Sequence, residues 1–389
     1  MIHFQLPRHS SDLYKNIEYC EDVESKPKIS NSLSHYIYEI KERIQLYNHE
    51  WDIFKRYTNP YEYIHTNVPN KKKSVSRHKP LSRSYFKMIE LTNFFNLIDG
   101  YESKPISTFH LAEGPGGFIE ALVHMRQNKQ DEYIGMTILD KNNDPTIPGW
   151  KKSESFLREN KNVFIEKGIT GTGDILAIEN FQYCYDTYMS KMDIITGDGG
   201  FDFSADFNNQ ENSIIQLLFA QVAYAIIMQK KGGSFILKLF DCFMQPTLDI
   251  LAILSSFYKK VYITKPQTSR YANSEKYLVC QDFIFDSTET FMPNLLRTFE
   301  KMMSDSIDCK SMRFLNINLS NHFMTRMEEY NSIFGQQQVE NIYYTIYLID
   351  NKGKQDKIET LIKNNTNKCI AWCTKNNIQH NLLCEPLRF

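Results

Sequence analysis

Few features of this 389-residue sequence mark a membrane, secreted or strongly basic protein. Its 45 Lys and Arg residues nearly cancel its 46 Asp and Glu residues, so the net charge is -1. A polyanionic partner would therefore have to meet a local basic patch. No apolar run approaches the length of a membrane span, and the first residues, MIHFQLPRHSSDLYKN, lack the pattern of a signal peptide. We expect no membrane partner.

Cysteine is also sparse. Eight cysteines are scattered over the chain, which is typical of reduced thiols and not of a disulfide framework. The sequence thus predicts a cytoplasmic location, and a nuclear location is compatible with the same thiols. No internal repeat is visible. What is present is a hydrophobic fraction of 42%, enough for a sizeable core in one large domain with appendages or in two domains.

The middle of the chain alternates strand-like and helical patterns. The strand-like apolar runs are 133–139, 163–166, 192–196, 234–240, 260–264 and 276–283. Helical patterns separate several of them, and the segment 213–229 is apolar almost all round, which predicts a buried helix. This alternation predicts an α/β fold with a doubly wound, largely parallel sheet. Only a loop joins the last two runs, so we expect an antiparallel hairpin at one edge.

The flanks have a different character. Residues 30–57 have a helical pattern, and NKKKSVSRHKPLSRS (70–84) is a basic connector rich in helix breakers. From about residue 286 the patterns are helical and polar. The predicted organisation is therefore a helical N-terminal extension with the basic connector (1–84), a central α/β domain (85–285) and a helical C-terminal extension (286–389).

A glycine-rich turn follows one of the expected strands. The stretch FHLAEGPGGFIEALVHM (109–125) places three glycines and a proline before a helical pattern. In open α/β sheets ligands bind beyond the carboxyl ends of the strands. Glycine there lets a ligand approach the main chain, and the helix N-terminus can receive an anion. A plain tight turn has the same residues, and the spacing is not that of a dinucleotide-binding loop.

Two more strand ends carry charged residues. Asp198 ends the run MDIIT-G-D and is followed by two glycines, which is also what a simple turn looks like. Lys238 interrupts the apolar strand SFILKLF, where a solvent-facing edge charge is the alternative. Burial of an amine favours its neutral form and a neighbouring carboxylate favours the charged form, and this balance can suit a lysine for proton transfer.

Six stretches in order make a family resemblance visible. They are TNPYEYIH (58–65), SRSYFKMIEL (82–91), LAEGPGGF, DGGFDFS with NNQEN, GGSFILKLFD, and KPQTSRYANSEKYLVC. Together they resemble the FtsJ/RrmJ-type ribose 2'-O-methyltransferases. Within that family the chain is similar to the cap-specific mRNA (nucleoside-2'-O-)-methyltransferases, including those of large DNA viruses. The resemblance covers residues 55 to 283 and implies a Rossmann-like sheet that binds S-adenosylmethionine (SAM).

The resemblance implies a catalytic tetrad of Lys87, Asp198, Lys238 and Glu275. Without it, Lys87 and Glu275 would be ordinary surface charges. In the implied reaction Lys238 is the general base that takes the proton of a ribose 2'-hydroxyl. Asp198 and Lys87 would orient Lys238, and Glu275 would hold the hydroxyl or the amine. The sulfonium of SAM is already a good leaving group, so we expect no metal.

The cofactor site is implied in the same way. The expected SAM-binding residues are Ala112, Glu113, Gly114, Pro115, Gly116, Gly117, Phe118, Asp174, Ile175 and Asp198. The loop at 112–118 would wrap the amino acid and ribose, and Asp174 would contact the adenine. Asp140 is a further candidate for the ribose.

RNA is the expected partner, with the 5' end of capped mRNA as its reactive part and other capping enzymes as possible partners. The expected contacts are Asn212 near the substrate, Arg270 at a phosphate, and Lys55 and Arg56 at the cap or its phosphates. The lysines of 71–73 are candidates for the RNA backbone. Aromatic residues crowd the same region and could stack on a methylated cap guanine: Trp51, Phe54, Tyr57, Tyr61 and Tyr63.

Two other functions are compatible with the sequence. One is a 2'-O-methyltransferase of ribosomal or other uncapped RNA, and the other is a non-catalytic RNA-binding subunit of a capping complex. A separate pattern near the end of the chain, Cys369, Cys373, His380 and Cys384, has zinc-ligand residue types. Its spacing matches no common zinc module. Cys369, Trp372 and Cys373 also fit one apolar helical face, which we favour.

Overall fold

The computed structural model describes residues 1–21, 26–139, 149–200, 208–304 and 312–382. Its strands are Ile2–Gln5 (β1), Ile17–Glu21 (β2), Ser107–Leu111 (β3), Glu132–Met136 (β4), Val163–Glu166 (β5), Met192–Gly197 (β6), Gln229–Leu239 (β7), Tyr258–Lys265 (β8), Lys276–Phe283 (β9) and Met312–Leu315 (β10). Its α-helices are Asn31–Arg43 (α1), Asn48–Thr58 (α2), Ser84–Phe95 (α3), Gly117–Arg126 (α4), Glu154–Glu159 (α5), Ile178–Tyr188 (α6), Gln210–Ser213 (α7), Ile215–Met228 (α8), Gln245–Phe257 (α9), Met292–Ser304 (α10), Asn321–Asp350 (α11) and Gln355–Lys375 (α12). Short 3-10 helices lie at Ser11–Asn16, Ile44–Tyr47, Glu62–Ile64 and Trp150–Ser153.

The predicted α/β fold is confirmed. In the described residues one eight-stranded sheet has the order β1-β8-β9-β7-β6-β3-β4-β5. The five strands from β7 to β5 in this order run parallel to their neighbours, and β9 pairs antiparallel with both β7 and β8. Apolar clusters cover both faces: residues of α6, α8, α9 and α10 on one side, and residues of α3, α4 and α12 on the other. The arrangement is Rossmann-like.

The strand order reverses between β3 and β6. From β3 the chain continues to β4 and β5 on one side, whereas β6 and β7 lie on the other. In the register of β3 and β6, Leu111 is opposite Gly197. The loops that follow these two residues therefore begin side by side at the carboxyl edge, which is where open α/β sheets bind ligands.

Two predictions about the periphery are wrong in part. The β8–β9 hairpin is antiparallel as predicted, but β1 pairs with β8 and takes the edge position. The N-terminal extension is therefore not only helical. The C-terminal extension also contains a strand, because β10 pairs with β2 in a separate two-stranded sheet. These short segments form strands because they pair with segments far away in the chain. A local sequence pattern does not show such pairing.

The helical predictions agree with the structure in their main lines. The segment 213–229 contains α8, of which all but one residue is buried. The segment 30–57 contains α1 and α2, interrupted by the 3-10 turn Ile44–Tyr47. In the C-terminal extension, α11 and α12 pack against α2. Among the residues described, no helix combines the length and the apolar character needed to cross a membrane.

Candidate active site

The glycine-rich loop forms a cradle at the end of β3. Ala112 and Gly116 adopt left-handed backbone angles, with φ of +52° and +94°. A Cβ at Gly116 would lie 3.0 Å from the indole ring of Trp150. A Cβ at Gly117 would lie 2.2 Å from the hydroxyl of Ser82. Close approach therefore favours glycine at both positions, and at Gly116 the left-handed conformation favours it as well.

Two residues of the predicted cofactor loop have internal roles. The Glu113 carboxylate is buried and accepts from the backbone N–H of Phe118, from that of Ile119 at 3.3 Å and from the hydroxyl of Thr196 at 3.0 Å. It thereby holds the start of α4. Phe118 is fully buried in the core. Both side chains are therefore engaged within the protein itself.

A second loop approaches the same edge after β5. A Cβ at Gly173 would lie 2.1 Å from the carbonyl oxygen of Thr137, so this loop packs directly on the chain leaving β4. Asp174 Oδ1 accepts from the N–H of Leu176 at 2.9 Å, which fixes the carboxylate. Ile175 is buried. Asp140, the other candidate on this side, lies outside the described residues.

These loops fit an adenosyl amino acid such as SAM. Gly116 and Gly117 leave the backbone without side chains at the N-terminus of α4, which suits a ligand carboxylate. The carboxylates of Asp174 and Asp198 stand at two further strand ends, and carboxylates accept hydrogen bonds from amines and hydroxyls. The donor and acceptor types present are those that the ligand needs.

The structure brings the four tetrad residues together as two ion pairs. Lys238 Nζ, on β7, lies 3.3 Å from Asp198 Oδ1 and donates to the carbonyl oxygen of Asp198 at 2.6 Å. Lys87 Nζ, on α3, lies 2.7 Å from Glu275 Oε1 and 2.8 Å from Glu275 Oε2. The contact between Asp198 and Lys238 agrees with the predicted orientation of Lys238 by Asp198. Lys87, also predicted to orient Lys238, instead pairs with Glu275. All four side chains are at most 14% exposed.

The charges around Glu275 explain its protonation state. Burial alone would raise the pKa of Glu275, but the positive charges of Lys87 and Lys238 and the hydrogen bond from Lys87 outweigh burial and lower the pKa to about 2. Glu275 is therefore ionised at neutral pH. Ser269 adds a hydrogen bond, since its hydroxyl donates to Glu275 Oε1 at 2.8 Å.

Tyr277 is a member of the site that sequence reasoning missed. Its hydroxyl donates to Asp198 Oδ1 at 3.0 Å, and Lys87 Nζ donates to the same hydroxyl at 3.5 Å. Burial, then the negative charges of Asp198 and Glu275, raise the pKa of Tyr277 well above its usual value, so the phenol stays protonated. One signal was present: Tyr277 is two residues after Glu275, on the same face of an extended strand.

Arg270, predicted at a phosphate, is already engaged. Its Nε and Nη2 donate to the two carboxylate oxygens of Glu62 at 2.9 and 2.6 Å. Glu62 is buried and also lies 3.6 Å from Arg83. Burial acts to raise the pKa of Glu62, and the hydrogen bond and charge of Arg270 and the charge of Arg83 lower it overall. The NPYE stretch thus organises two arginines through its glutamate, a role that the sequence did not indicate.

The other predicted RNA contacts are less constrained. Lys55 pairs with Asp52 one turn earlier on α2, whereas Arg56 is exposed. Asn212 is half-buried, and its amide donates to Asn209 at 3.2 Å. The lysines of 71–73 are exposed. The structure does not bring Lys55 or Arg56 into the hydrogen bonds of the tetrad.

The aromatic cluster proves to be largely core. Trp51, Phe54 and Tyr63 are at most 9% exposed. Tyr57 and Tyr61 are half-buried, and these two remain as candidates for stacking on a base. Core packing therefore explains the three most buried members of the predicted cluster.

The cysteine pattern near the C-terminus follows a helical face. Cys369, Trp372 and Cys373 are buried on one side of α12, as the apolar-face interpretation predicted. Cys369 donates to the carbonyl oxygen of Pro60 at 3.4 Å, and burial raises the pKa of Cys373 to about 12. Cys384 lies outside the described residues. Within those residues no three metal-binding side chains cluster, and the six cysteines found there are free thiols.

Several curated proteins are similar to this chain in sequence. The chain is 26% identical over 306 residues to cap-specific mRNA (nucleoside-2'-O-)-methyltransferase 2 of Drosophila melanogaster, covering 75% of this chain and 43% of that protein. It is 31% identical over 202 residues to cap-specific mRNA (nucleoside-2'-O-)-methyltransferase 1 of Trypanosoma brucei brucei, covering 50% and 53%. The chain thus spans about half the length of the curated relatives it matches.

Solved structures show only distant similarity. A putative ribosomal RNA methyltransferase from Plasmodium falciparum has a TM-score of 0.37 at 21% identity, covering 52% of this chain and 98% of that chain. Human methyltransferase-like protein 13 in complex with SAH has a TM-score of 0.36 at 13% identity, covering 58% and 94%. The family comparison is decisive: the sequence profile of the FtsJ-like methyltransferases matches residues 80–283, more than half of the chain. The chain belongs to the FtsJ-like methyltransferase family.

Proposed function

We propose that this protein transfers a methyl group from SAM to the ribose 2'-hydroxyl of RNA. The observation that carries the proposal is the pair of ion pairs, Lys87–Glu275 and Lys238–Asp198, beside the loop that follows β3. A 2'-hydroxyl is a weak nucleophile until its proton leaves. Amines and carboxylates fixed in this way can orient the hydroxyl and accept its proton.

In the mechanism that we propose, the ammonium group of Lys238 first gives up a proton to solvent. As the neutral amine, Lys238 then accepts the proton of the 2'-hydroxyl while the oxygen takes the methyl group. Asp198 orients Lys238 through both its carboxylate and its carbonyl oxygen. Lys87, which Glu275 holds on the other side of Tyr277, donates a hydrogen bond to the ribose. When bound, SAM supplies a methyl group on a positively charged sulfur that leaves readily. Alignment of the reacting groups accounts for much of the acceleration, an effect worth up to about 7–11 kcal/mol in well-oriented systems.

For the cofactor, we propose that the main chain of 112–117 and the carboxylates of Asp174 and Asp198 hold SAM. The cradle at Gly116 and the ordered Asp174 carboxylate support this assignment. The side chains of Glu113, Phe118 and Ile175 are buried, and in this proposal they support the two loops without contacting SAM.

For the substrate, we propose the nucleotide next to an mRNA 5' cap. The names of the relatives support this choice, as does the NPYE stretch, whose Glu62 anchors Arg83 and Arg270 beside the loop that carries Glu275. An N7-methylated guanine is positively charged and would gain roughly 0.5–2 kcal/mol by stacking on Tyr57 or Tyr61. Exposed Arg56 would meet the triphosphate, so binding should weaken steeply as salt rises.

The experiment that tests this function compares initial rates on three RNAs of one sequence: N7-methylated capped, unmethylated capped and triphosphate-ended. We expect the first to react fastest, with the methyl group on the 2'-oxygen of a cap-proximal nucleotide. Equal rates on all three would contradict cap recognition and favour an enzyme of uncapped RNA. Binding of SAM without transfer to any RNA would favour the non-catalytic alternative.

A further inference from the structure

The segment Pro266–Glu275 joins β8 to β9 and ends at a tetrad residue. Lys265, at the end of β8, is buried, and its Nζ donates to the carbonyl oxygens of Asn273 at 2.6 Å and of Glu275 at 2.7 Å. This one side chain therefore ties the start of the segment to its end. Lys265 therefore fixes the main chain at Glu275.

The N-terminal part of the chain holds the same segment from a second side. The buried carboxylate of Glu90, on α3, accepts from the N–H groups of Gln267 at 2.8 Å and Thr268 at 3.1 Å. Asn59 Oδ1 accepts from the N–H of Tyr271 at 2.9 Å. Both Glu90 and Asn59 precede the first parallel strand, β3, in sequence.

The C-terminal extension supplies a third contact through Gln338 on α11. Gln338 is 4% exposed, and its Nε2 donates to the carbonyl oxygen of Ala272 at 2.9 Å. It also lies 3.4 Å from the hydroxyl of Ser274, which in turn donates to the buried carboxylate of Asp241 at 3.0 Å. Gln338 thus forms hydrogen bonds with Ala272 and Ser274, and Ser274 directly precedes Glu275.

Gln338 belongs to a stripe of buried amides along one face of α11. Asn331 donates to the carbonyl oxygen of Cys242 at 2.8 Å, and Asn341 donates to that of Thr58 at 3.1 Å. The spacings of seven and three residues place these side chains on one helical face. Burying an amide is unfavourable unless it is hydrogen-bonded. The NH2 group of each of these amides donates to a main-chain carbonyl oxygen. The face is therefore specific for those carbonyl groups and is more than an apolar contact.

We propose that Gln338 is a positioning residue of the active site, through which the C-terminal extension keeps Glu275 in place against Lys87. The proposal rests on the proposed methyl transfer. Glu275 reaches Lys87 only if its main chain stays where Lys265, Asn59, Glu90 and Gln338 hold it. A displacement of about 1 Å at such a site can lower a rate on the order of 100-fold.

The test uses the substitution Gln338→Met, which keeps the volume and removes the donor. We expect kcat to fall about tenfold or more, while the Kd for SAM stays within about twofold because the cradle is untouched. Amide hydrogens of residues 266–277 should exchange faster than in the unchanged protein. That measurement needs no substrate, and several of these amides are protected by hydrogen bonds.

Gln229→Met is the matched control. Gln229 is fully buried at the amino end of β7, where its amide donates to the carbonyl oxygens of Met192 and Asp193 and accepts from Tyr258. We expect this variant to lose at least as much thermal stability as Gln338→Met, yet to keep its kcat.

Two results would overturn the proposal: unchanged exchange of 266–277 in Gln338→Met, or a loss of kcat no larger than that of the control. Additivity is a third criterion. Ser269→Ala also loosens Glu275, so its effect on kcat should be less than additive with Gln338→Met; full additivity would contradict a shared action on Glu275. A protein that transfers no methyl group before any substitution would contradict the proposed function, and the exchange data would still decide whether Gln338 holds the segment.

Discussion

The hydroxyl of Tyr277 donates to Asp198 Oδ1 over 3.0 Å and accepts from Lys87 over 3.5 Å. This one phenol therefore lies between the ion pair Lys238–Asp198 and the ion pair Lys87–Glu275. In the register of the sheet Tyr277 is directly opposite Lys238, across the antiparallel ladder of β7 and β9. The two lysines of the site are thus linked by a neutral, protonated group.

Tyr277→Phe should lower kcat by about tenfold to 100-fold, because Asp198 loses one of the groups that fix it and a hydrogen bond to a charged group contributes about 1.5–3 kcal/mol. The buried ring is retained, so the fold should persist. Tyr224→Phe is the matched control: within the described residues its buried hydroxyl has no hydrogen-bond partner. The control should keep its activity and gain stability. If both variants keep full activity, the hydroxyl of Tyr277 has no role in methyl transfer and its ring serves only in core packing.

Lys238→Ala should abolish methyl transfer and leave the affinity for SAM nearly unchanged. Asp198 would still be held by Tyr277, and Asp174 and the cradle lie on other elements. Lys230→Ala, on the same strand, is the control. Lys230 pairs with Asp193 and its side chain is 57% exposed, so its loss should change stability by less than about 1 kcal/mol. Transfer by Lys238→Ala within tenfold of the unchanged protein would exclude it as the general base.

Gly116→Val should prevent SAM binding, since a side chain there would crowd the ring of Trp150 and L side chains rarely adopt the backbone angle of +94°. The loop at the N-terminus of α4 would therefore have to move. Gly100→Val separates the effect of the backbone angle from the effect of steric crowding. Gly100 has a φ of +84°, and a Cβ there would meet nothing within 4 Å. Both variants should lose about 1–2 kcal/mol of stability from the left-handed angle, but calorimetry should show lost SAM binding only for Gly116→Val. Normal SAM binding by Gly116→Val would show that the glycine-rich loop is only a structural turn.

The stability of the protein should depend on pH through Glu275, whose pKa in the folded protein is lowered to about 2. A lowered carboxyl pKa stabilises the fold above the pKa of the unfolded chain, about 4.3. That stabilisation, on the order of 3 kcal/mol, is lost as the pH falls from about 4.5 to 2. The difference in unfolding free energy between the unchanged protein and Glu275→Gln should therefore shrink over this range, as measured by chemical denaturation.

Glu211 should show the opposite dependence. Burial raises its pKa to about 7, against the hydrogen bonds that it accepts from the main chain at Phe243 and Met244. A raised carboxyl pKa favours the fold below the unfolded value, and that contribution is lost as the pH rises from about 4.5 to 7. The advantage of the unchanged protein over Glu211→Gln should thus shrink on raising the pH. The same direction of change in both variants would contradict these assignments.

Local patterns were sufficient for the centre of the fold. Each of the six predicted strand runs overlaps an observed strand, and two, 163–166 and 276–283, agree in both limits. For the inner strands the reason is physical: strands buried on both faces are continuous apolar runs, which are recognisable without their neighbours. The edge strand β5 is only partly buried. The short β1 and β10 lack such runs, and only pairing with distant segments makes them strands.

The sequence by itself determined the α/β class, the glycine-rich turn after β3 and, through six ordered stretches, the FtsJ-like family. It also named the four charged residues, two of them only through the resemblance. Tertiary structure alone decided the pairing of Lys87 with Glu275, the bridge made by Tyr277, the attachment of Arg270 to Glu62 and the contact of Gln338 with the segment before Glu275. These contacts join residues that are distant in the chain. Their distances depend on how the sheet and its flanking helices pack together, and no periodicity within one segment carries that information.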